Sequence, residues 1–182
     1  METLLQAWLK AHRPVTSELY ATLPILEGSL PIDLRGVLFR NGPGRFAVGD
    51  SHYGHLFDGD GLVLRFAIGA TSSDSRPVIR YRNRYVRTHE FISEERAGHS
   101  LYRSFGTNLP GGMLGNFLRV RLKNAANTNI VYHGGRLYAL WEGGLPHVLD
   151  PVTLDTLSRT DFSGALRNRG PFLDRQLSPY FP

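Results

Sequence analysis

The sequence predicts an all-β domain made of short strands joined by tight turns. Of the 182 residues, 20 are glycine and 11 are proline, and turn-forming residues recur about every ten positions. Between these turns, short apolar runs alternate with polar residues, as in half-buried strands. No apolar run approaches the roughly 18 residues of a membrane-spanning helix. The length suffices for one domain with its own core.

The predicted elements begin with a helix and continue as strands. Leu4, Leu5, Trp8 and Leu9 form one apolar stripe, and Pro14 ends that short N-terminal helix. The strands are predicted at 36–40, 62–68, 78–88, 129–132, 137–141, 147–150 and 154–157. Hairpin turns at 133–136 and 150–153 connect the last four of them. Successive hairpins at this spacing are typical of propeller blades.

Two glycine-rich stretches are predicted to be tight turns. Residues 40–43, Arg-Asn-Gly-Pro, would close the strand before them, and 58–61, Asp-Gly-Asp-Gly, would open the strand after them. The second stretch lacks the closing glutamate of a calcium loop. We therefore predict that Asp58 and Asp60 cap nearby backbone N–H groups.

The charge of the chain bears on its possible partners, and its cysteine content bears on its cellular compartment. The net charge of +5 permits an anionic partner, and the absence of cysteine fits a reducing compartment. Strict alternation in 80–85 places arginines on one face of a strand and tyrosines on the other. Because single-stranded nucleic acids require both on one surface, we predict a charged solvent face and no nucleic-acid partner.

The histidines show no metal-binding pattern. There is no i, i+4 pair on a predicted helix and no His-x-His on a strand, so surface or turn roles are predicted for all seven: His12, His52, His55, His89, His99, His133 and His147.

Four sequence blocks together resemble the carotenoid cleavage oxygenase family. They are RNGPG at 40–44, FDGDG at 57–61, NAANTN at 124–129 and LYALWEGG at 137–144, in the family's order and most similar to the bacterial apocarotenoid cleavers. The resemblance implies a partial seven-bladed β-propeller. Residues 1–182 would be its N-terminal part, supplying the helix and the first blades of one incomplete domain.

The resemblance also implies an oxidative cleavage reaction whose iron ligands are not among these residues. The family cleaves a conjugated double bond of a carotenoid or apocarotenoid with O2 at a non-haem Fe(II) centre held by four histidines. None of those histidines falls in the matching region, so no metal ligand is expected within this chain. We expect the isolated chain to be inactive, free of stoichiometric iron and poorly stable. The alternative is a non-catalytic propeller fragment serving as a membrane-surface or interaction module.

The resemblance assigns roles to two residues of the last block. Glu142 would accept a hydrogen bond from an iron-bound histidine, and Trp141 would line the substrate tunnel. The resemblance also allows Trp141 to pack beside the tunnel. From the residues alone, Glu142 ends a strand at an exposed Gly-Gly turn and Trp141 belongs to the core.

A membrane-contact segment is predicted in 109–123. One helical face carries Met113, Leu114, Phe117 and Leu118, followed by cations including Lys123, a pattern typical of surface-seated membrane segments. An ordinary amphipathic helix leading into a half-buried strand is an equal alternative. With the resemblance, this implies a cytoplasmic protein peripherally attached to a membrane.

Overall fold

The computed structural model describes Thr3 and residues 13–70, 76–109 and 122–167. Most of their regular structure is β-strand. In chain order the elements are β1 (Tyr20–Leu23), β2 (Gly36–Arg45), β3 (Ala47–Val48), β4 (Ser51–His52), a 3-10 helix (Leu56–Asp58), β5 (Asp60–Ala70), β6 (Pro77–Tyr85), α1 (His89–Ala97), β7 (Asn129–His133), β8 (Arg136–Trp141), β9 (Gly144–Leu149) and β10 (Thr156–Arg159).

Two four-stranded antiparallel sheets organise these elements. The first has the strand order β1-β6-β5-β2, the second has the order β10-β9-β8-β7, and β3 pairs with β4 in a separate small hairpin. The main apolar core joins the two sheets, because Val63 of β5 packs in one cluster with Leu137 and Leu149 of β8 and β9. The strands of the second sheet follow one another in chain order, the meander layout of a propeller blade, whereas in the first sheet β1 pairs with the last strand, β6.

The predicted turn at 40–43 is wrong. The chain stays extended, and β2 continues to Arg45 while pairing antiparallel with the start of β5, including Pro43 opposite Gly61. A proline is tolerated in this position because β2 is the edge strand of its sheet. The other predicted strands all fall on observed ones, although β6 ends at Tyr85, three residues early, and β10 is shifted to 156–159.

Helix α1 was absent from the sequence prediction. It begins after Thr88, whose Oγ1 accepts a hydrogen bond from the Phe91 N–H at 2.9 Å, and it ends at Gly98, which has a φ of 72°. Both are ordinary end signals of a helix. Strands β1, β3 and β4 were also not predicted. The predicted N-terminal helix lies outside the described residues.

The arginine face of β6 is less solvated than expected. Arg84 forms ion pairs with Glu18 and Asp155, and the Arg82 guanidinium lies 4.4 Å from the centre of the Tyr20 ring. The polypeptide before β2 therefore covers part of this charged face.

Candidate functional site

The four sequence blocks meet in space through backbone-directed hydrogen bonds. The Asn41 side-chain amide donates to the carbonyl oxygens of Ala126 and Asn129, both at 2.9 Å. The Asn127 amide donates to the carbonyl oxygens of Phe57 and Gly59, at 2.8 and 2.7 Å. Short side chains with fixed amide donors thus tie the loop at 124–129 to β2 and to the 3-10 helix and the glycine between it and β5.

The same loop is tied to the start of β9, directly after the fourth block. Asn124 donates from its side-chain amide to the Leu145 carbonyl oxygen at 3.0 Å, and its Oδ1 accepts from the Ala126 N–H at 3.1 Å. Asn124 and Asn127 are both buried. Because buried amides are costly to leave unpaired, these side chains fix the loop against the β8–β9 hairpin.

Gly61 is required by a close backbone approach. Its N–H donates to the Ala125 carbonyl oxygen at 2.7 Å. A Cβ at this position would lie well inside 3.0 Å of the carbonyl oxygens of both Ala125 and Ala126, closer than real Cβ contacts. The loop at 124–129 can therefore approach β5 only where β5 has no side chain.

We expect Gly61→Ala to destabilise the chain by about 1–3 kcal/mol, because the added methyl group forces the loop away from β5. The measurement is urea unfolding followed by circular dichroism. Gly42→Ala is the matched control, since a Cβ at Gly42 meets nothing within 4 Å, and it should stay within about 0.5 kcal/mol of wild type. Equal losses in both variants would contradict the close-approach argument.

Beside this junction lies a cavity of about 690 Å³, within the range of small-molecule sites. Its wall is mostly apolar and draws on all four blocks as well as on the segment at 104–105. The lining residues include Asn41, Pro43, Leu56, Phe57, Phe105, Leu122, Asn127, Thr128, Trp141 and Glu142. The two residues singled out in the fourth block, Trp141 and Glu142, are therefore brought together on one cavity wall.

The β8–β9 turn presents these two residues. Trp141 ends β8 and pairs with Gly144, so Glu142 and Gly143 form the connection between the strands. A Cβ on Gly143 would overlap the Trp141 ring, so this glycine lets the indole lie against the turn, and a Cβ on Gly144 would overlap the Asn124 side chain. Glu142 is exposed at the cavity, while Trp141 is half-buried.

The aspartates of the second block do not cap local N–H groups, which corrects the prediction. Asp58 is buried and accepts hydrogen bonds from the Gly106 N–H at 3.0 Å and from the Thr107 hydroxyl at 2.6 Å, nearly fifty residues away. It thereby anchors the loop that carries Phe105, whose side chain is 76% exposed at the cavity.

Asp60 belongs to a buried charge cluster that the sequence reasoning missed. Lys123 Nζ lies 2.7 Å from Asp60 Oδ1 and 2.8 Å from Glu94 Oε2, and all three side chains are almost fully buried. Arg45 Nε approaches the other Asp60 oxygen at 2.7 Å, and the Tyr53 hydroxyl donates to Glu94 at 2.9 Å. Lys123 was predicted to be a membrane-facing cation. That is wrong, because it neutralises two carboxylates in the interior.

The cluster shifts the pKa values of its members. Burial alone would raise the pKa of Glu94, but the Lys123 ammonium and the hydrogen bonds to this carboxylate hold it below the usual value. Burial, together with the charges of Asp60 and Glu94, raises the pKa of the Tyr53 phenol. At neutral pH Glu94 is therefore an ionised carboxylate and Tyr53 a neutral phenol.

His147 is also not in a surface or turn position. It lies in β9 with only 4% of its surface exposed, and burial lowers its pKa to about 4, with a further contribution from Arg159. Its side chain is thus a neutral imidazole at neutral pH.

No group of three or more His, Asp or Glu side chains within the described ranges is arranged to hold a metal ion. In the same part of the chain, no helix has both the length and the hydrophobicity needed to span a membrane. The predicted membrane-contact residues Met113, Leu114, Phe117 and Leu118 lie outside the described residues.

Comparison with known proteins identifies relatives along nearly the whole chain. The profile of the family described as RPE65, retinal pigment epithelial membrane protein, matches residues 12–176. Apocarotenoid-15,15'-oxygenase of Synechocystis is 42% identical over 167 residues, which cover 91% of this chain and 33% of that protein. Chicken beta,beta-carotene 15,15'-dioxygenase is 29% identical over 174 residues, covering 90% of this chain and 31% of that protein.

Solved structures agree with the sequence matches. The crystal structure of cobalt-substituted Synechocystis apocarotenoid oxygenase superposes with a TM-score of 0.81 at 41% identity, covering 91% of this chain and 34% of that one. The chain spans about a third of the length of the relatives it matches. The expected all-β fold, part of a seven-bladed propeller, is confirmed. On this sequence and structural agreement, the chain belongs to the RPE65 family of carotenoid oxygenases.

Proposed function

We propose that this chain forms the N-terminal part of an oxygenase that cleaves a conjugated double bond of a carotenoid or apocarotenoid with O2. The observation that carries the proposal is the convergence of the four sequence blocks on one apolar cavity of about 690 Å³. An elongated apolar substrate requires such a wall, since it offers few polar groups to bind. A non-catalytic module would not need the polar residues that the blocks place there.

The described residues do not by themselves form an iron site, as the absence of a suitable side-chain group within them indicates. Four histidines from the rest of a longer chain would have to hold the non-haem Fe(II), which supplies the O2 chemistry when bound. What this chain contributes is the cavity wall. Trp141 bounds the substrate path, and Glu142 presents an exposed carboxylate that can accept a hydrogen bond from the ring N–H of such a histidine.

In a chain that includes the remaining blades, we expect Glu142→Gln to weaken iron retention by about 10- to 100-fold. The amide keeps the shape of the side chain but lacks the negative charge that strengthens a histidine ligand. Iron per chain after dialysis against a chelator measures the effect. Glu27→Gln, at another exposed glutamate, should retain iron like wild type.

Unchanged iron retention in Glu142→Gln would leave Glu142 as a turn residue only. Failure of the longer wild-type chain to bind iron or to cleave any carotenoid or apocarotenoid would instead favour the interaction-module alternative. The two outcomes are distinct, because the first concerns one side chain and the second concerns the whole proposal.

We also propose peripheral attachment to a cytoplasmic membrane surface through the segment at 109–123. Described residues on both sides of the segment support this. Phe105 is 76% exposed and Leu122 is 40% exposed, and both line the cavity beside exposed Phe57. Apolar side chains at a cavity mouth can enter the interface of a bilayer and allow a lipid-dissolved substrate to pass directly into the cavity.

The double change Phe117→Ser and Leu118→Ser should reduce binding to anionic liposomes, since each side chain provides about 1.5–3 kcal/mol when fully buried in an apolar phase. Liposome co-sedimentation measures the loss, and circular dichroism checks the fold. Val37→Ser with Leu38→Ser is the matched control, because that pair is also exposed but lies on β2. Unfolding of the first variant would mean that Phe117 and Leu118 are core residues, and unchanged binding would place membrane contact elsewhere.

A further inference from the structure

A second cavity, of about 370 Å³, lies where the start of α1 faces β9 and β10. It shares no lining residue with the cavity described above. Its polar lining is basic or hydroxyl-bearing: Arg87, His89, His147, Thr156, Ser158 and Arg159. Among the residues that the structure describes, no carboxylate belongs to this lining.

His147 provides the buried polar group of this cavity. The residue is 96% buried, and its Nδ1 atom has no hydrogen-bond partner among the described residues. Buried polar atoms in folded proteins are nearly always paired. The neutral imidazole can offer an N–H donor there, so an acceptor in the cavity would satisfy it.

The two arginines differ in how strongly they are already engaged. Arg87 forms ion pairs with Glu18 at 3.0 Å and with Glu95 at 3.6 Å, and its guanidinium lies 4.8 Å from the centre of the Phe91 ring. The exposed Arg159 side chain forms no ion pair within the described part of the chain. Arg159 is therefore the cation best able to hold a ligand.

The remaining groups favour an acceptor with negative charge. The Thr156 hydroxyl oxygen already accepts from the Arg87 N–H at 2.9 Å, so its own hydrogen can be donated into the cavity. The N-terminus of α1 at His89 adds the positive end of a nine-residue helix. Guanidinium, imidazole and hydroxyl donors converging on one space are the recognition pattern of an oxyanion.

We propose that this cavity is a binding site for a small oxyanion, a phosphate or carboxylate group, held by Arg159, His147 and Thr156. The site is independent of the iron chemistry and of the apolar cavity. If phosphate binding at this cavity is disproved, the proposed oxygenase function is therefore unaffected.

The test is titration of the purified chain with inorganic phosphate at constant ionic strength, followed by the NMR signals of the histidine rings and by calorimetry. We expect saturable binding that shifts the His147 ring signals, and Arg159→Gln should weaken it at least 10-fold. Arg136→Gln is the matched control, because it removes one exposed arginine charge outside the cavity, and it should bind phosphate like wild type.

Absence of a His147 shift, or equal weakening in Arg136→Gln and Arg159→Gln, would overturn the proposal, since the response would then reflect net charge alone. Because the Arg159 and Arg136 side chains are both exposed, both variants keep the fold and their comparison decides the question. A second arm compares vesicles of phosphatidate with vesicles of phosphatidylcholine. Binding to phosphatidate vesicles that depends on Arg159 identifies a lipid headgroup as the source of the phosphate. Binding of inorganic phosphate with no binding to phosphatidate vesicles identifies a free anion.

Discussion

Replacing Lys123 with methionine should destabilise the chain by about 3–5 kcal/mol, the usual cost of removing one partner from a buried ion pair. The Lys123 ammonium lies within 2.8 Å of carboxylate oxygens of both Asp60 and Glu94, and each of these residues is at most 1% exposed. Methionine would fill the space but leave Glu94 buried without a cation. The measurement is the free energy of unfolding from urea titration at pH 7.

Two further variants separate charge from packing. Arg136→Met removes a cation from an exposed position and should change stability by less than about 0.5 kcal/mol. Adding Glu94→Gln to Lys123→Met should recover part of the loss, because the stranded carboxylate is then gone, while Asp60 keeps its ion pair with Arg45. A Lys123→Met variant as stable as wild type would show that the cluster is not held together by charge.

Acidification should remove about 3 kcal/mol of stability through His147 alone. Burial lowers the pKa of this histidine from 6.5 to about 4 in the folded chain. Between these two pH values His147 is therefore protonated in the unfolded chain and neutral in the folded chain. The contribution is fully present above pH 6.5, decreases as the pH falls from there to 4, and stays lost below 4. One pKa unit corresponds to about 1.4 kcal/mol.

The comparison of wild type with His147→Gln isolates this effect. Protonation of Glu94, whose pKa is also held low in the folded chain, weakens both proteins below pH 4.5 and cancels in the difference. Between pH 7 and 4, measured every half pH unit, the unfolding free energy of wild type should therefore fall by about 3 kcal/mol relative to that of His147→Gln. Parallel curves would mean that His147 takes up its proton as easily in the folded chain as in the unfolded one.

The sequence predicted most strands because their signal is local. Alternation along 78–85 and the turn residues around the β7–β8 and β9–β10 hairpins depend only on neighbours in the chain. Helix α1 could also have been found this way, since Thr88 and Gly98 are ordinary helix-end residues. At 40–43 the same local rules fail, because pairing with β5 keeps the chain extended through Asn41, Gly42 and Pro43.

The candidate site was only partly accessible to sequence reasoning. Trp141 and Glu142 were identified by resemblance, and their common cavity follows from contacts between segments up to about a hundred residues apart in the chain. Lys123 illustrates the limit. A lysine that follows two arginines at alternate positions in the sequence looks like part of a cationic surface, and only the tertiary structure places Asp60 and Glu94 around it.

The buried charge cluster also affects the order in which parts of the chain can fold while it is being synthesised. Asp60 and Glu94 leave the ribosome before Lys123, and the ion pairs to Lys123 bridge 63 and 29 residues. Until Lys123 emerges, closing α1 over β5 would bury Glu94 without its cation, at a cost of several kcal/mol. During translation, the first sheet therefore completes its packing only after Lys123 has left the ribosome. The NAANTN block follows Lys123 directly, so we expect the first blade and the cavity wall to fold at the same stage.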